Sequence, residues 1–225
     1  MRQAVADAFV EFTRPFEGMV LFMYADCLGL VTTGLGSLID PVSTAVCLPW
    51  KHKDTGVFAT EAEIVNAWEI VKGRSDLKLR GGMAYRGLTD LVLDQTAVDA
   101  MVQVRLRLND SILGHRFAGF DDWPSDAQLG LHSMSWAMGA SFKFPRFQAA
   151  VSADPPDFFG ASVECKMSNG APSRNHANQT LFINAGQVLD QGLDPETLYY
   201  PITLQPQPTQ AAQPVVPKDP PDDAA

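Results

Sequence analysis

The feature that most constrains the fold of this chain is a short β-like segment placed directly after an amphipathic helix. Residues 3–14 carry apolar side chains three and four positions apart, which is the periodicity of a helix with one buried face. Pro15 and Gly18 follow, and residues 21–24 and 30–33 then form two short apolar runs separated by turn residues. The pattern predicts a small hairpin attached to the end of the first helix.

Helical signals dominate the rest of the chain. Thr60 and Glu63 match a capping box that opens a helix to about Lys72, and a glycine-rich, irregular connection follows over residues 73–88. A longer helix is predicted from about Asp94 to Leu113, with an inner stripe of Val98, Met101, Val102, Arg105 and Leu108. Further helices are predicted near residues 123–139, 143–151, 157–165 and 175–190.

These signals predict an α+β, mostly α fold. We expect residues 1–200 to form one domain, in which residues 38–88 are an enlarged insertion of the small β part. Residues 201–225 include seven prolines and little apolar surface, and they are predicted to be a disordered tail.

Composition argues against several classes of partner. A net charge of −9 disfavours nucleic acid, because phosphate backbones bind basic surfaces. No apolar run is long enough to cross a membrane, so no integral membrane segment is predicted. Asp7 and Glu11 interrupt the start of the chain before a secretory signal can form, and we expect the protein to be made in the cytoplasm without a signal peptide.

The cysteines and histidines predict no metal site and no cofactor. Cys27, Cys47 and Cys165 match neither a disulfide framework nor a zinc pattern, and we expect them to be free, buried thiols. The four histidines are scattered along the chain, and His132, on an apolar helix, is predicted to be a hydrogen-bonded core residue.

One group of oxygen-bearing side chains suits glycoside hydrolysis. Glu17 lies at the predicted helix end, Asp26 lies nine residues later in the hairpin turn, and Thr32 lies six residues further on the next strand. Glycosidases need one carboxylic acid that protonates the leaving oxygen and a second, ionised carboxylate that prepares water on the opposite face of the sugar. Taken alone, these three residues are a weak signal.

The surrounding residues strengthen it. They are Phe16-Glu17-Gly18, Tyr24, Gly29 and Thr32-Thr33-Gly34-Leu35-Gly36. With them the chain resembles the phage-type lysozymes, glycoside hydrolase family 24, whose mark is Glu, eight residues, Asp or Cys, five residues, Thr. The resemblance covers residues 1–37 and about 89–190, and it resumes at Ser133–Gly139, Phe144–Phe147 and Asn169–Arg174.

This resemblance implies a lysozyme-like fold of two lobes and a muramidase that cleaves the β-1,4 bond between N-acetylmuramic acid and N-acetylglucosamine. Glu17 would be the general acid, and Asp26 with Thr32 would activate water, with inversion at the anomeric carbon. Arg174 would approach Glu17, which orients the carboxyl but favours its ionised form. Its alternative is a surface arginine at a helix end. Trp136 and Gly36 would support the site, and Trp136 would help to desolvate Glu17.

Two departures from the family pattern stand out. Ser37 occupies the position after Gly-x-Gly where the family commonly has His, so a supporting salt bridge is expected to be missing. Residues 38–88 exceed the family's small lobe, and within them Trp50, Trp68 and Tyr85 are open to two interpretations, as core residues or as sugar-stacking platforms.

The expected partners are peptidoglycan glycan strands. The protein would act in the periplasm or on the cell wall after delivery, as a phage endolysin, on a phage particle, or as an injected antibacterial toxin, which implies a delivery apparatus and a cognate immunity protein. Two alternatives remain at this point. One is chitinase-like or transglycosylase activity on a related glycan, and the other is a catalytically silent wall-binding or virion structural module.

Overall fold

The computed structural model of the protein describes residues 1–168 and 171–206, and it confirms the α+β, mostly α class. The helices of this part are α1 (Gln3–Glu17), α2 (Val42–Ala45), α3 (Glu61–Gly73), α4 (Gln95–Arg116), α5 (Ser125–Met138), α6 (Pro145–Val151), α7 (Phe158–Glu164) and α8 (Pro172–Gln191). The strands are β1 (Val20–Ala25), β2 (Val31–Gly34), β3 (Ser37–Leu38), β4 (Lys51–His52) and β5 (Leu91–Val92). No helix within the described ranges is long and apolar enough to cross a bilayer.

The predicted hairpin is confirmed as part of a three-stranded antiparallel sheet of order β1-β2-β3. Tyr24 on β1 lies opposite Thr32 on β2, and Thr32 in turn lies opposite Leu38 on β3. Gly34 ends β2 with φ of +62°, and a Cβ atom there would lie 2.9 Å from a methyl group of Val98. Glycine at this position therefore permits both the turn and the close approach of the sheet to α4.

Residues 38–88, predicted as an insertion, pack along β1. Their helix α3 begins with the predicted capping box, in which Thr60 and Glu63 bond reciprocally. The predicted irregular connection contains two 3₁₀ helices, Ser75–Arg80 and Gly82–Tyr85. Strand β4 from the insertion pairs with β5, and the Leu93 N–H next to β5 donates to the Leu21 carbonyl of β1. The edge of the small sheet is thereby protected from solvent and from other strands.

The aromatic residues of the insertion mostly belong to the core. Trp50 and Tyr85 are each 1% exposed, and their polar atoms donate to the carbonyls of Ala45 and Arg74 respectively. Core residues are thus the correct interpretation of these two. Trp68 is half-buried and donates to the Ile39 carbonyl.

Helix α5 is the centre of the helical lobe and is buried on every side for most of its length. Its Gly130 allows the ring of Phe182 on α8 to come within 3.0 Å of where a Cβ would stand. His132, also on α5, is fully buried, and its Nε2 lies 3.1 Å from Asp110 Oδ1. Burial lowers the pKa of His132 despite the opposing effect of Asp110, which favours a neutral ring at pH 7. The prediction that His132 is a core residue is confirmed.

Helix α1 ends at Glu17, as predicted, and the rings of Phe12 and Phe16 pack edge to face at 5.3 Å along its last turn. Two expectations were wrong. Leu108 is 62% exposed, because the buried face of α4 advances with the helical period through Val98, Val102, Leu106, Asn109 and Leu113.

The second wrong expectation concerns the thiols. Cys165 is buried, whereas Cys27 and Cys47 are exposed because they lie in the hairpin turn and just after α2. The three cysteines are free.

After α8 the chain returns across the helical lobe. The carboxylate of buried Asp126 accepts hydrogen bonds from the backbone N–H groups of Tyr199 and Tyr200 and from the side chain of Asn184. Asn184 also bonds the backbone of residues 202 and 204. The first residues of the predicted tail are therefore held against α8, and residues 207–225 lie outside the described part of the chain.

We predict that Asp126→Ala destabilises the fold by about 2–4 kcal/mol, because it leaves buried donors without an acceptor. In a thermal unfolding experiment this corresponds to a Tm lower by roughly 5–15 °C for a domain of this size. Asp122→Ala, at an exposed position nearby, is the control and should change Tm little. Equal Tm values for the two variants would show that the C-terminal segment contributes nothing through Asp126.

Candidate active site

Glu17 is the last residue of α1, and the chain turns at Gly18 to enter β1. Its side chain is 25% exposed, and Oε1 accepts a hydrogen bond of 2.7 Å from a terminal nitrogen of Arg174. The other oxygen, Oε2, faces Gly36, where an added Cβ would stand 3.5 Å away. Glu17 is thus partly shielded, held by one oxygen and close to the turn between β2 and β3.

Arg174 lies in the first turn of α8, and its side chain is 8% exposed. Its guanidinium group lies 5.0 Å from the centre of the Phe16 ring, a cation–π contact that fixes its orientation. The predicted approach of Arg174 to Glu17 is confirmed, and the alternative of a surface arginine is wrong.

Asp26 is fixed by the hairpin turn itself. Its Oδ1 accepts hydrogen bonds of 2.9 Å from the N–H groups of Leu28 and Leu30. Its Oδ2 has no hydrogen bond with any residue in the ranges 1–168 and 171–206. Asp26 therefore presents one free carboxylate oxygen from a half-buried position.

Thr32 lies on β2 and is 4% exposed. Its hydroxyl donates to the Leu30 carbonyl at 3.1 Å, which leaves the hydroxyl oxygen able to accept a hydrogen bond. Thr32 pairs directly with Tyr24, and Asp26 is two residues beyond Tyr24 along the chain. Because side chains alternate between the two faces of a strand, Tyr24 and Thr32 share one face of the sheet, and Asp26 continues from it.

Tyr24 lies between Glu17 and Asp26 along the chain and pairs with Thr32 across the sheet. Burial raises its pKa to about 12, and the negative charges of Glu17 and Asp26 also raise it. Tyr24 is part of the sequence motif and had no predicted role, although its position between Glu17 and Asp26 was a usable signal.

Trp136 and Gly36 lie where helix α5 meets the small sheet, beside Glu17. The Trp136 indole is 4% exposed and donates to the Leu35 carbonyl at 3.0 Å. Arg105 on α4 donates to the Gly36 carbonyl at 3.1 Å and to the Trp136 carbonyl at 3.0 Å. Trp136 and Gly36 thus lie where supporting residues were predicted, and the burial of Trp136 leaves no ring face for a sugar.

A cavity of about 1290 Å³ lies elsewhere, between β1, α3 and the β4–β5 pair. Its wall includes Met19 and Phe22, but Glu17, Asp26 and Thr32 do not line it. It also includes His52, whose ring nitrogens lie 2.7 Å from Asp90 and 3.4 Å from Glu63 and are thus both engaged. If volume were the criterion, this groove would be the candidate active site. The ionisable groups converge instead around Glu17, and we therefore take that region as the candidate active site.

Within the described ranges, no three His, Cys, Asp or Glu side chains form a group that could hold a metal ion. No protein family and no curated protein matches this chain. The residues and their geometry are consequently the basis of any functional assignment.

We predict that Tyr24 makes the fold sensitive to alkaline pH. Its pKa in the folded state exceeds the ordinary value of 10, so its stabilising contribution is complete below about pH 10 and is lost as the pH rises toward 12. Thermal unfolding of the wild type and Tyr24→Phe between pH 8 and 11.5 tests this. The wild type should lose more Tm than the variant over this range, and parallel curves would contradict the environment assigned to Tyr24.

Proposed function

We propose that this protein is a peptidoglycan hydrolase that cleaves the β-1,4 bond between N-acetylmuramic acid and N-acetylglucosamine. One geometric observation carries the proposal. Glu17 lies beside the Gly36 turn of the small sheet and Asp26 lies in the hairpin turn of the same sheet, and each has one carboxylate oxygen without a hydrogen bond to the described residues. Glycoside hydrolysis requires two carboxyl groups that flank the same glycosidic bond. Here the two groups come from different elements of the fold. The resemblance of these residues to the phage-type lysozymes supports the same assignment.

In the proposed mechanism Glu17 is the general acid. Its Oε1 is occupied by Arg174, so Oε2 is the oxygen that would carry the proton to the glycosidic oxygen. A cation beside a carboxyl favours the ionised form, whereas apolar surroundings favour the protonated one. The partial burial of Glu17 would therefore have to offset the charge of Arg174.

Asp26 and Thr32 would prepare the attacking water. The free Oδ2 of Asp26 can accept a proton from water, while the Thr32 hydroxyl oxygen can accept a hydrogen bond from the same molecule. Attack from the face opposite the leaving group inverts the anomeric carbon, so the β-linked substrate would give an α-configured product. Delivery to the periplasm or the cell wall, as an endolysin or an injected effector, would bring the site to this substrate.

We predict that Glu17→Gln lowers the rate of peptidoglycan hydrolysis by at least about 10³-fold, because the leaving oxygen is no longer protonated. Glutamine can still accept the Arg174 hydrogen bond, so Tm should change little. Glu11→Gln is the matched control, since it removes an exposed Glu–Arg pair from the same helix. Release of reducing ends and loss of turbidity from purified peptidoglycan are the measurements.

Asp26→Asn should lower the rate less completely, by roughly 10²-fold, because a polar group can still orient the water. Full activity in Glu17→Gln would refute the proposed acid. Mass analysis of the products separates hydrolysis, which adds water, from a transglycosylase, which forms an anhydro sugar. If the wild type binds wall fragments but releases neither reducing ends nor anhydro sugars, the protein is a wall-binding module.

A further inference from the structure

Arg105 occupies an unusual position on the inner side of α4. Its guanidinium group donates to two backbone carbonyls, one from Gly36 in the β2–β3 turn and one from Trp136 near the end of α5. It also lies 4.0 Å from the centre of the Trp136 ring. The Arg105 side chain therefore joins the small sheet to helix α5 through hydrogen bonds.

The charge of Arg105 has no acidic partner in direct contact within the described part of the chain. Burial lowers its pKa, and the negative charge of Glu17 opposes this effect. Carbonyl oxygens satisfy the N–H groups of an arginine but do not neutralise its charge. Arg105 thus places a positive charge beside the Gly36 turn, which Glu17 Oε2 faces.

We propose that Arg105 is a positioning residue for Glu17. It holds the Gly36 turn that faces Glu17 Oε2, fixes that turn relative to α5, and adds a second positive charge behind the carboxyl group. The proposal rests on the function proposed above for Glu17. The Ser37 hydroxyl is buried without a hydrogen-bond partner among the described residues, so it does not fasten the turn itself.

The planar fork of arginine is needed for this arrangement. Two terminal nitrogens reach two carbonyls in different elements while the flat face stacks on an indole ring. Lysine would keep the positive charge but would lack both the planar fork and the flat stacking face. Glutamine would lose the charge as well. The two substitutions therefore separate geometry from electrostatics.

Arg116 is a matched control on the same helix, three turns further along α4. It also donates to two carbonyls, those of Ala140 and Phe142, and its guanidinium group lies 5.1 Å from the rings of Phe117 and Phe142. Burial alone lowers its pKa, with no contribution from Glu17. Arg116→Gln thus removes a similar structural anchor away from the candidate site.

The experiment compares wild type, Arg105→Lys, Arg105→Gln and Arg116→Gln on purified peptidoglycan, with kcat, KM and the pH dependence of kcat/KM for each. We expect Arg105→Gln to lower kcat roughly 10- to 100-fold with KM within about threefold, because Glu17 is displaced while substrate contacts remain. Its alkaline limb should move to higher pH, since loss of a nearby positive charge favours a protonated carboxyl.

Arg105→Lys should return the alkaline limb to its wild-type position with only partial recovery of kcat. Arg116→Gln should lower Tm without either kinetic change. If Arg105→Gln and Arg116→Gln affect kcat and the pH profile alike, Arg105 is only a structural anchor and the proposal is wrong.

A second measurement does not depend on activity. Amide hydrogen exchange in residues 36–38 should be at least about tenfold faster in Arg105→Gln than in Arg116→Gln, because only the former releases this turn. Equal exchange would overturn the positioning role. A wild type that releases no reducing ends would instead refute the proposed hydrolase, so the two failures are distinguishable.

Discussion

The contact between Glu17 and Arg174 joins the end of the first helix to the start of the last one across 157 positions of the chain. It can form only when α1 and α8 both lie against α5, whose buried surface fixes their relative positions. The carboxyl group at the centre of the proposed chemistry is therefore held by the whole helical lobe. Loss of packing between these helices would change the orientation of Glu17.

The other half of the site has a local origin. Asp26 is held by two amides of its own turn, and Thr32 by the adjacent carbonyl, so the hairpin carries their geometry within seven residues. The two halves meet at Gly36, which Glu17 Oε2 faces and which Arg105 joins to α5. Packing of the helices holds Glu17, and hydrogen bonds within the hairpin turn hold Asp26 and Thr32. The candidate site lies where these two parts join.

This division explains what the sequence could predict. The hairpin, the capping box at Thr60 and the end of α5 at Gly139 follow from local signals, since turn and cap residues act within a few positions. The pairing of β4 with β5 did not follow, because it joins two-residue strands about 40 positions apart. Arg105 was placed in an inner stripe, but its two carbonyl partners come from distant elements. The exposure of Leu108 likewise depends on which face of α4 meets the core.

The most direct test of the central claim is a crystal structure of Glu17→Gln in complex with a peptidoglycan fragment of several sugars. The account predicts a glycosidic oxygen within hydrogen-bonding distance of the residue at position 17, and a water molecule held by Asp26 and Thr32 on the opposite face of the sugar. Occupation of the groove lined by Phe22 and His52, with position 17 and Asp26 left without contact, would contradict it.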